Sequence, residues 1–276
     1  MRKLFIVFFI FVSLLALLLP FIAKKQLYAS AFPEIAGIPP VPEISSYRSL
    51  PNFAGYDNVR EKKEQFFGYL LPIIEAENLK ILHKRAQIFN LAEASEQGEL
   101  SAQQRSQFQQ LKDRYDVDEQ LSDEQAFEVL KRRVDIVPEM MVLVQAANES
   151  GWGTSRFARQ GLNLFGQWCY QEGCGMVPGQ RGADKKHEVK VFKTVNQAVR
   201  SYLHNINTHS AYQDLRMIRA QKRRSGEQLR ATQLVEGLGS YSERGDEYIE
   251  ELQAMIRVNR PVVEEVKNDT QQAANY

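Results

Sequence analysis

Apolar residues recur at helical spacing along most of the chain. Val59, Phe66, Leu70, Ile73 and Ile74 open one such stripe, and Ile81, Phe89 and Leu91 continue it. Residues three and four apart share a helix face, so the pattern predicts amphipathic helix. Two further helices are marked at their starts. Ser101 with Gln104 and Ser122 with Gln125 fit the capping box, in which hydroxyl and amide each satisfy a free backbone donor. Phe108, Leu111 and Tyr115 line one face after the first box, and Phe127, Leu130 and Val134 one face after the second. Another helix begins at Val137-Pro138, where proline in the first turn costs no hydrogen bond, and runs through Met141, Val144 and Ala147 to Glu149. Gly151 and Gly153 end it. The stretch from Gly161 to Lys186 is loop-rich, and His187 to Phe192 alternates as a strand should. Val199, Tyr202, Leu203 and Ile206 restore the helical period, followed by Leu234 with Leu238, then Tyr248, Leu252, Met255 and Ile256. The predicted architecture is mainly α, a helical domain with a small β-hairpin insert, preceded by an additional helical region.

The ends of the chain differ from this pattern. Arg2 and Lys3 precede an uncharged apolar run from Leu4 to Ala23, followed by Lys24 and Lys25. This is an export signal, just long enough to span a bilayer, while Pro20 and the small residues Ala29-Ser30-Ala31 favour cleavage. Residues 1–31 therefore read equally as a cleaved signal peptide or a retained anchor attaching the chain to a membrane. Pro33, Pro39, Pro40, Pro42 and Pro51 favour extended backbone, so residues 32–56 are expected to be a tether. Residues 57–135 form the additional helical region, 136–260 the helical domain with the hairpin, and 261–276 a polar tail expected to fray.

Charge narrows the class of partner. Thirty-five basic and 34 acidic side chains leave a net charge of +1, so there is no global field to hold nucleic acid. The basic run Arg216, Arg219, Lys222, Arg223 and Arg224 reads as a solvated face, with binding to an acidic wall polymer as an extra role. Cys169 and Cys174, the two cysteines, bracket a glycine turn. Outside the cytoplasm such a pair reads as a disulfide, with unbridged thiols the alternative. The four histidines show no ligand spacing beside them, so neither a metal nor another cofactor is expected.

The segment Gln145 to Gly153 departs from ordinary helix design, ending an apolar helix with a carboxylate, two glycines and a tryptophan. A carboxyl group held against Val144, Ala146 and Trp152 loses solvation, and its pKa rises. A general acid that protonates a glycosidic oxygen near neutral pH needs this property. Trp152 could pack on a sugar face. On these residues alone, a solvated Glu149 and a core-anchoring Trp152 read better.

A resemblance shifts that balance. Ala146-Ala147-Asn148-Glu149-Ser150-Gly151-Trp152-Gly153, then Asn163-Leu164-Phe165-Gly166, the helix around Ala198 and Tyr202, and Tyr241 to Tyr248 are similar in order and composition to the glucosaminidase domain of the FlgJ and Acm type. These matches span Pro138 to Ile256; the stretch before Asp135 has no counterpart in the generic family. The resemblance implies a lysozyme-like helical fold and a periplasmic hydrolase, or one anchored to the membrane facing the periplasm, acting on peptidoglycan glycan strands. It implies that Glu149 is the catalytic acid and Tyr241 an active-site tyrosine, with Trp152, Asn163, Phe165 and Tyr248 around the substrate. Tyr241 could equally be a turn residue, and Asn163 and Phe165 could simply shape the turn below the cleft.

Glycoside cleavage normally uses a second carboxylate. The family often carries it on a mobile hairpin, near which this chain reads Pro178-Gly179-Gln180-Arg181. Glu188, Asp184 and Glu172 are the nearest replacements. Glu188 is preferred as a base because Val189 and Val191 should pack on one strand face and turn Glu188 to the other, where it could also simply meet water. Substrate assistance by a 2-acetamido group would need no nucleophilic carboxylate. The expected activity is that of an endo-β-N-acetylglucosaminidase; a muramidase or lytic transglycosylase on the same fold, or a non-catalytic wall-binding protein, are the alternatives.

Overall fold

The computed structural model describes residues 37–179 and 187–274. The expected export segment and its cleavage site, together with Gln180, Arg181 and Asp184, lie outside the described residues. No helix among the described residues is long and apolar enough to cross a membrane.

The chain is mainly helical, as its periodicity predicts. Helix α1 (Val59–Gln97) starts at Asn58, whose side chain accepts the amides of Arg60 and Glu61. Both capping boxes form. Ser101 begins α2 (Ala102–Arg114) and Ser122 begins α3 (Asp123–Arg133), each bonded reciprocally with the glutamine three residues on. Then come α4 (Glu139–Ser150), α5 (Arg156–Gly161), α6 (Val195–Thr208), α7 (Gln213–Arg224), the short α8 (Ala231–Leu234) and α9 (Asp246–Ala274).

Two hydrophobic cores share α1. Phe66, Phe67, Leu70, Leu71, Ile73 and Ile74 of its first half lie in the main core with α4, α6 and α9. Ile88, Leu91 and Ala92 of its second half form a smaller core with Phe108, Leu111, Phe127 and Leu130 of α2 and α3. The 57–135 region is thus not one separate unit, because its first helix is built into the main core. Asn78 of α1 clasps the chain before α4, donating to the Val137 carbonyl at 2.8 Å and accepting from its amide at 3.3 Å.

Three expectations are corrected. The described part of the proline-rich tether is strapped to the domain: Asn196 bonds the Tyr47 amide and the Ser45 carbonyl, and Phe53 is buried. The described part of the polar tail is helix, since α9 continues past Pro261 to Ala274 and buries Val263 and Val266 on the main core. Three arginines of the basic run are turned inward, while Arg224 is exposed and Lys222 pairs with Glu227. Arg216 donates to the Ile206 and His209 carbonyls, and Arg219, 1 % exposed, to those of Arg132, Arg133, Asp135 and Ile136. Arg223 makes a two-pronged bond to Asp135 at 3.0 Å. Burial favours the neutral form of Asp135, yet Arg85, Arg223 and Arg219 together hold its pKa at about 2.

The expected hairpin is a three-stranded antiparallel sheet in the order β1-β3-β2, from β1 (Trp168–Cys169), β2 (Gly175–Met176) and β3 (Glu188–Lys190). Cys169 and Cys174 form the expected disulfide. Gly175 must be glycine, because a Cβ there would lie 2.1 Å from the Val189 carbonyl oxygen.

Candidate active site

Helix α4 carries Glu149 in its last turn. It stops because Gly151 takes the left-handed conformation (φ 57°) and Ser150 turns inward, donating to the Ala146 carbonyl and accepting the Gly153 amide at 2.7 Å. Trp152 is itself left-handed (φ 59°), unusual for a bulky residue. Its ring packs edge-on to Phe66 at 5.5 Å and beside Phe67 at 5.4 Å, with the Lys63 ammonium 5.4 Å from its centroid. A Cβ on Gly153 would lie 2.6 Å from Phe53. The tryptophan and second glycine therefore receive α1 and the strap before it.

Glu149 ends a chain of buried polar groups. The Tyr202 hydroxyl on α6 donates to Gln145 Oε1, Gln145 Nε2 donates to the Tyr248 hydroxyl at 3.1 Å, and Tyr248 donates to Glu149 Oε1 at 2.8 Å. Gln145 is fully buried one turn before Glu149, so the two share a helix face. Every bond points the same way, toward the carboxylate, and such chains polarise one another. Sequence reasoning missed Gln145, although a lone amide inside the apolar run of α4 was the available signal.

The second motif closes on the same place. Tyr241 stacks on Tyr248 with centroids 5.4 Å apart and donates to the Phe165 carbonyl at 2.9 Å. Phe165 stacks on Tyr202 at 4.1 Å. A Cβ on Gly166 (φ 64°) would sit 3.8 Å from Glu149 Oε2, so bare backbone flanks the acid. Asn163 is consumed in shaping this turn: its amide donates to the Gln167 and Lys190 carbonyls, and its oxygen accepts the Phe165 and Gln167 amides. Glu149, Tyr241, Tyr248 and Phe165 are thus brought together, while Asn163 supports them from below and Trp152 faces another way.

Burial pushes the Glu149 carboxyl above the ordinary carboxylate range, and the Glu251 charge adds to the rise. Hydrogen bonds from Tyr248 and Asn148 and the Arg244 guanidinium act oppositely without cancelling it. Arg244 is shared with Glu251, to which it donates at 2.7 Å. Burial also raises the Tyr241 and Tyr248 phenols, which remain donors at neutral pH. A carboxyl with raised pKa, one oxygen fixed by a phenol and the other beside open backbone, can deliver a proton to a bound oxygen.

Glu188 does something else. It is 5 % exposed, and its oxygens accept the Gly173 amide at 3.1 Å and the Gly175 amide at 2.7 Å, clasping the disulfide loop. The expected alternation fails because β3 stops at Lys190: Val189 is buried beside Glu188, while Val191 is exposed. Glu172 sits exposed on the same loop. Trp168 is half-exposed two residues beyond Gly166, its indole stacked on His187 at 4.2 Å.

Residues 124–260 match the glucosaminidase family, a glycoside hydrolase family described as mannosyl-glycoprotein endo-beta-N-acetylglucosaminidase, and the chain belongs to that family. It is also similar to the protein named "Protein bax" from Escherichia coli (strain K12), at 33% identity over 216 residues, covering 78% of this chain and 76% of that protein. No solved structure matches it.

Proposed function

We propose that this protein hydrolyses a β-1,4 bond in the glycan strands of peptidoglycan, on the reducing side of N-acetylglucosamine, with Glu149 as the general acid. The observation that carries the reading is the Glu149 carboxyl itself, desolvated and held by Tyr248 beside the open backbone of Gly166. Family membership supports a glycan substrate. Protonated, Glu149 would give its proton to the leaving glycosidic oxygen as the bond breaks, and Tyr248 would stabilise the carboxylate left behind. Tyr241 is a positioning residue, fixing the Phe165–Gly166 turn through its bond to the Phe165 carbonyl. The exposed indole of Trp168 offers a flat apolar face on which a sugar can stack.

Glu188 is not part of this proposal, because its oxygens are committed to the disulfide loop. A 2-acetamido group attacking from the substrate requires no nucleophilic carboxylate from the chain. The reaction would take place outside the cytoplasmic membrane, as the charged and apolar residues 1–31 suggest.

Purified glycan strands supply the test. Wild type should release fragments with an N-acetylglucosamine reducing end, and Glu149→Gln should lose about 10²–10⁴-fold in rate. Cleavage by that variant at the wild-type rate would remove Glu149 from the mechanism. Products ending in an anhydro sugar would point instead to a lytic transglycosylase.

A further inference from the structure

Helices α1, α2 and α6 border a groove on the far side of α6 from Glu149. Arg200, His204 and Gln197 of α6 line it, whereas Tyr202, Val199 and Ile206 turn into the core. The helix therefore stands between the groove and the Tyr202–Gln145–Tyr248 chain. The inner end is a cavity of about 70 Å³ floored by Ile81, Leu203 and the buried Tyr115. A second, more open cavity of about 470 Å³ shares Arg114, Arg200 and His204 with it.

The walls are cationic. Lys80, Lys84, Arg114, Lys190, Lys193 and Arg200 line the two cavities together, against a single lining carboxylate, Glu77. Glu77 is already saturated: it accepts both prongs of Arg200 at 2.8 Å and Lys80 at 2.7 Å. Among the described residues no carboxylate forms an ion pair with Lys84, Arg114, Lys190 or Lys193. Asp116, which also feels Arg133, is the acid whose charge reaches His204. Burial, then the Arg114 charge, lowers the pKa of both Lys84 and His204, with Lys190 adding to the effect on His204. Like charges are thus gathered over an apolar floor, with Lys84 and Lys190 partly buried and Arg114, Lys193 and Arg200 exposed. Such an arrangement is unfavourable when empty and is relieved by an anion able to accept several N–H donors at once.

We propose that this groove is a binding site for a multiply charged oxyanion, a ligand bearing phosphoryl or clustered carboxylate groups. Arg114 supplies the planar donor fork at the junction of the two cavities. Lys84 closes the inner end, and Lys190 and Lys193 extend the grip along the outer one. The site joins the smaller core to the catalytic domain, because Arg114 ends α2 while Arg200 and His204 belong to α6. Its occupancy is independent of the Glu149 chemistry.

Isothermal titration of the full chain with inorganic pyrophosphate, and separately with citrate, at constant ionic strength tests the proposal and separates phosphoryl from carboxylate ligands. Saturable binding of at least one is expected. Arg114→Gln combined with Lys84→Gln should weaken it by about tenfold or more, and Lys193→Gln, at an exposed position, by about two- to threefold. Lys222→Gln, outside the groove, and Glu149→Gln should bind as wild type does. Absence of saturable binding to either anion, or equal affinity in the folded Arg114/Lys84 and Lys193 variants, would overturn the assignment. If the double variant fails to fold, Lys193→Gln decides.

Discussion

Replacing Tyr248 by phenylalanine removes one hydroxyl at the point where the buried chain meets the acid. That hydroxyl donates to Glu149 at 2.8 Å and accepts from Gln145 at 3.1 Å. A hydrogen bond to a charged group contributes about 1.5–3 kcal/mol. At 1.36 kcal/mol for each pH unit, its loss should raise the Glu149 pKa by about one to two units. The sign follows from the donor stabilising the carboxylate: without it the protonated form is favoured. A general acid works protonated, so the alkaline limb of kcat/KM on purified glycan strands should move to higher pH. The same substitution leaves the buried Gln145 amide short of an acceptor, and stability should fall by about 1–3 kcal/mol. Carbon-13 NMR titration of the Glu149 carboxyl reads the shift without relying on turnover. A pKa that stays fixed or falls in the folded variant would refute the polarised chain as the source of control.

Glu149→Gln should unfold at a higher temperature than wild type at alkaline pH, because the raised pKa means that the ionised carboxyl costs stability; the gap should close toward about pH 4. Asp135→Asn leaves three arginines without their counter-charge and should destabilise by about 3–5 kcal/mol in urea unfolding. The stabilisation from Asp135, whose pKa is depressed, is complete above the ordinary carboxylate range and should be lost as pH falls through about 2. Glu188→Gln should lower stability by about 1–3 kcal/mol and leave kcat within a few-fold of wild type; a loss of a thousandfold with the fold intact would restore it as the base. Gly153→Ala forces a Cβ to within 2.6 Å of Phe53 at a left-handed φ of 75°, so a cost of about 2 kcal/mol or more is expected from chemical denaturation.

The helices were legible because each is amphipathic or capped by local chemistry: Ser101 and Ser122 specify their caps within four residues. The strands β1 and β2, two residues each, are too short to show alternation, and they depend on the Cys169–Cys174 bridge and the Glu188 clasp. In the site, Glu149, Tyr202, Tyr241 and Tyr248 carried motif signals, whereas the bond that joins Tyr202 to Gln145 is a contact between α6 and α4 that no local pattern encodes. The packing of Trp152 was not legible, since a tryptophan beside a candidate acid suggests stacking on a sugar rather than on a distant helix. Its partners Phe66 and Phe67 lie more than eighty residues away in sequence. Arg216, Arg219 and Arg223 were read as solvated because sequence spacing does not reveal that Asp135 and six carbonyls await them.

Helix α1, 39 residues and about 58 Å long, serves both cores. Residues 124–260, the part matching the family, omit it entirely. Six apolar side chains from Phe66 to Ile74 would leave the main core with it, a loss on the order of 10 kcal/mol, comparable to the whole stability of an ordinary domain. A fragment cut at the family boundary should therefore expose the underside of α4 and aggregate, and adding residues 53–97 in trans should rescue it. In this protein the stretch that the family model matches is shorter than the stretch that builds the main core.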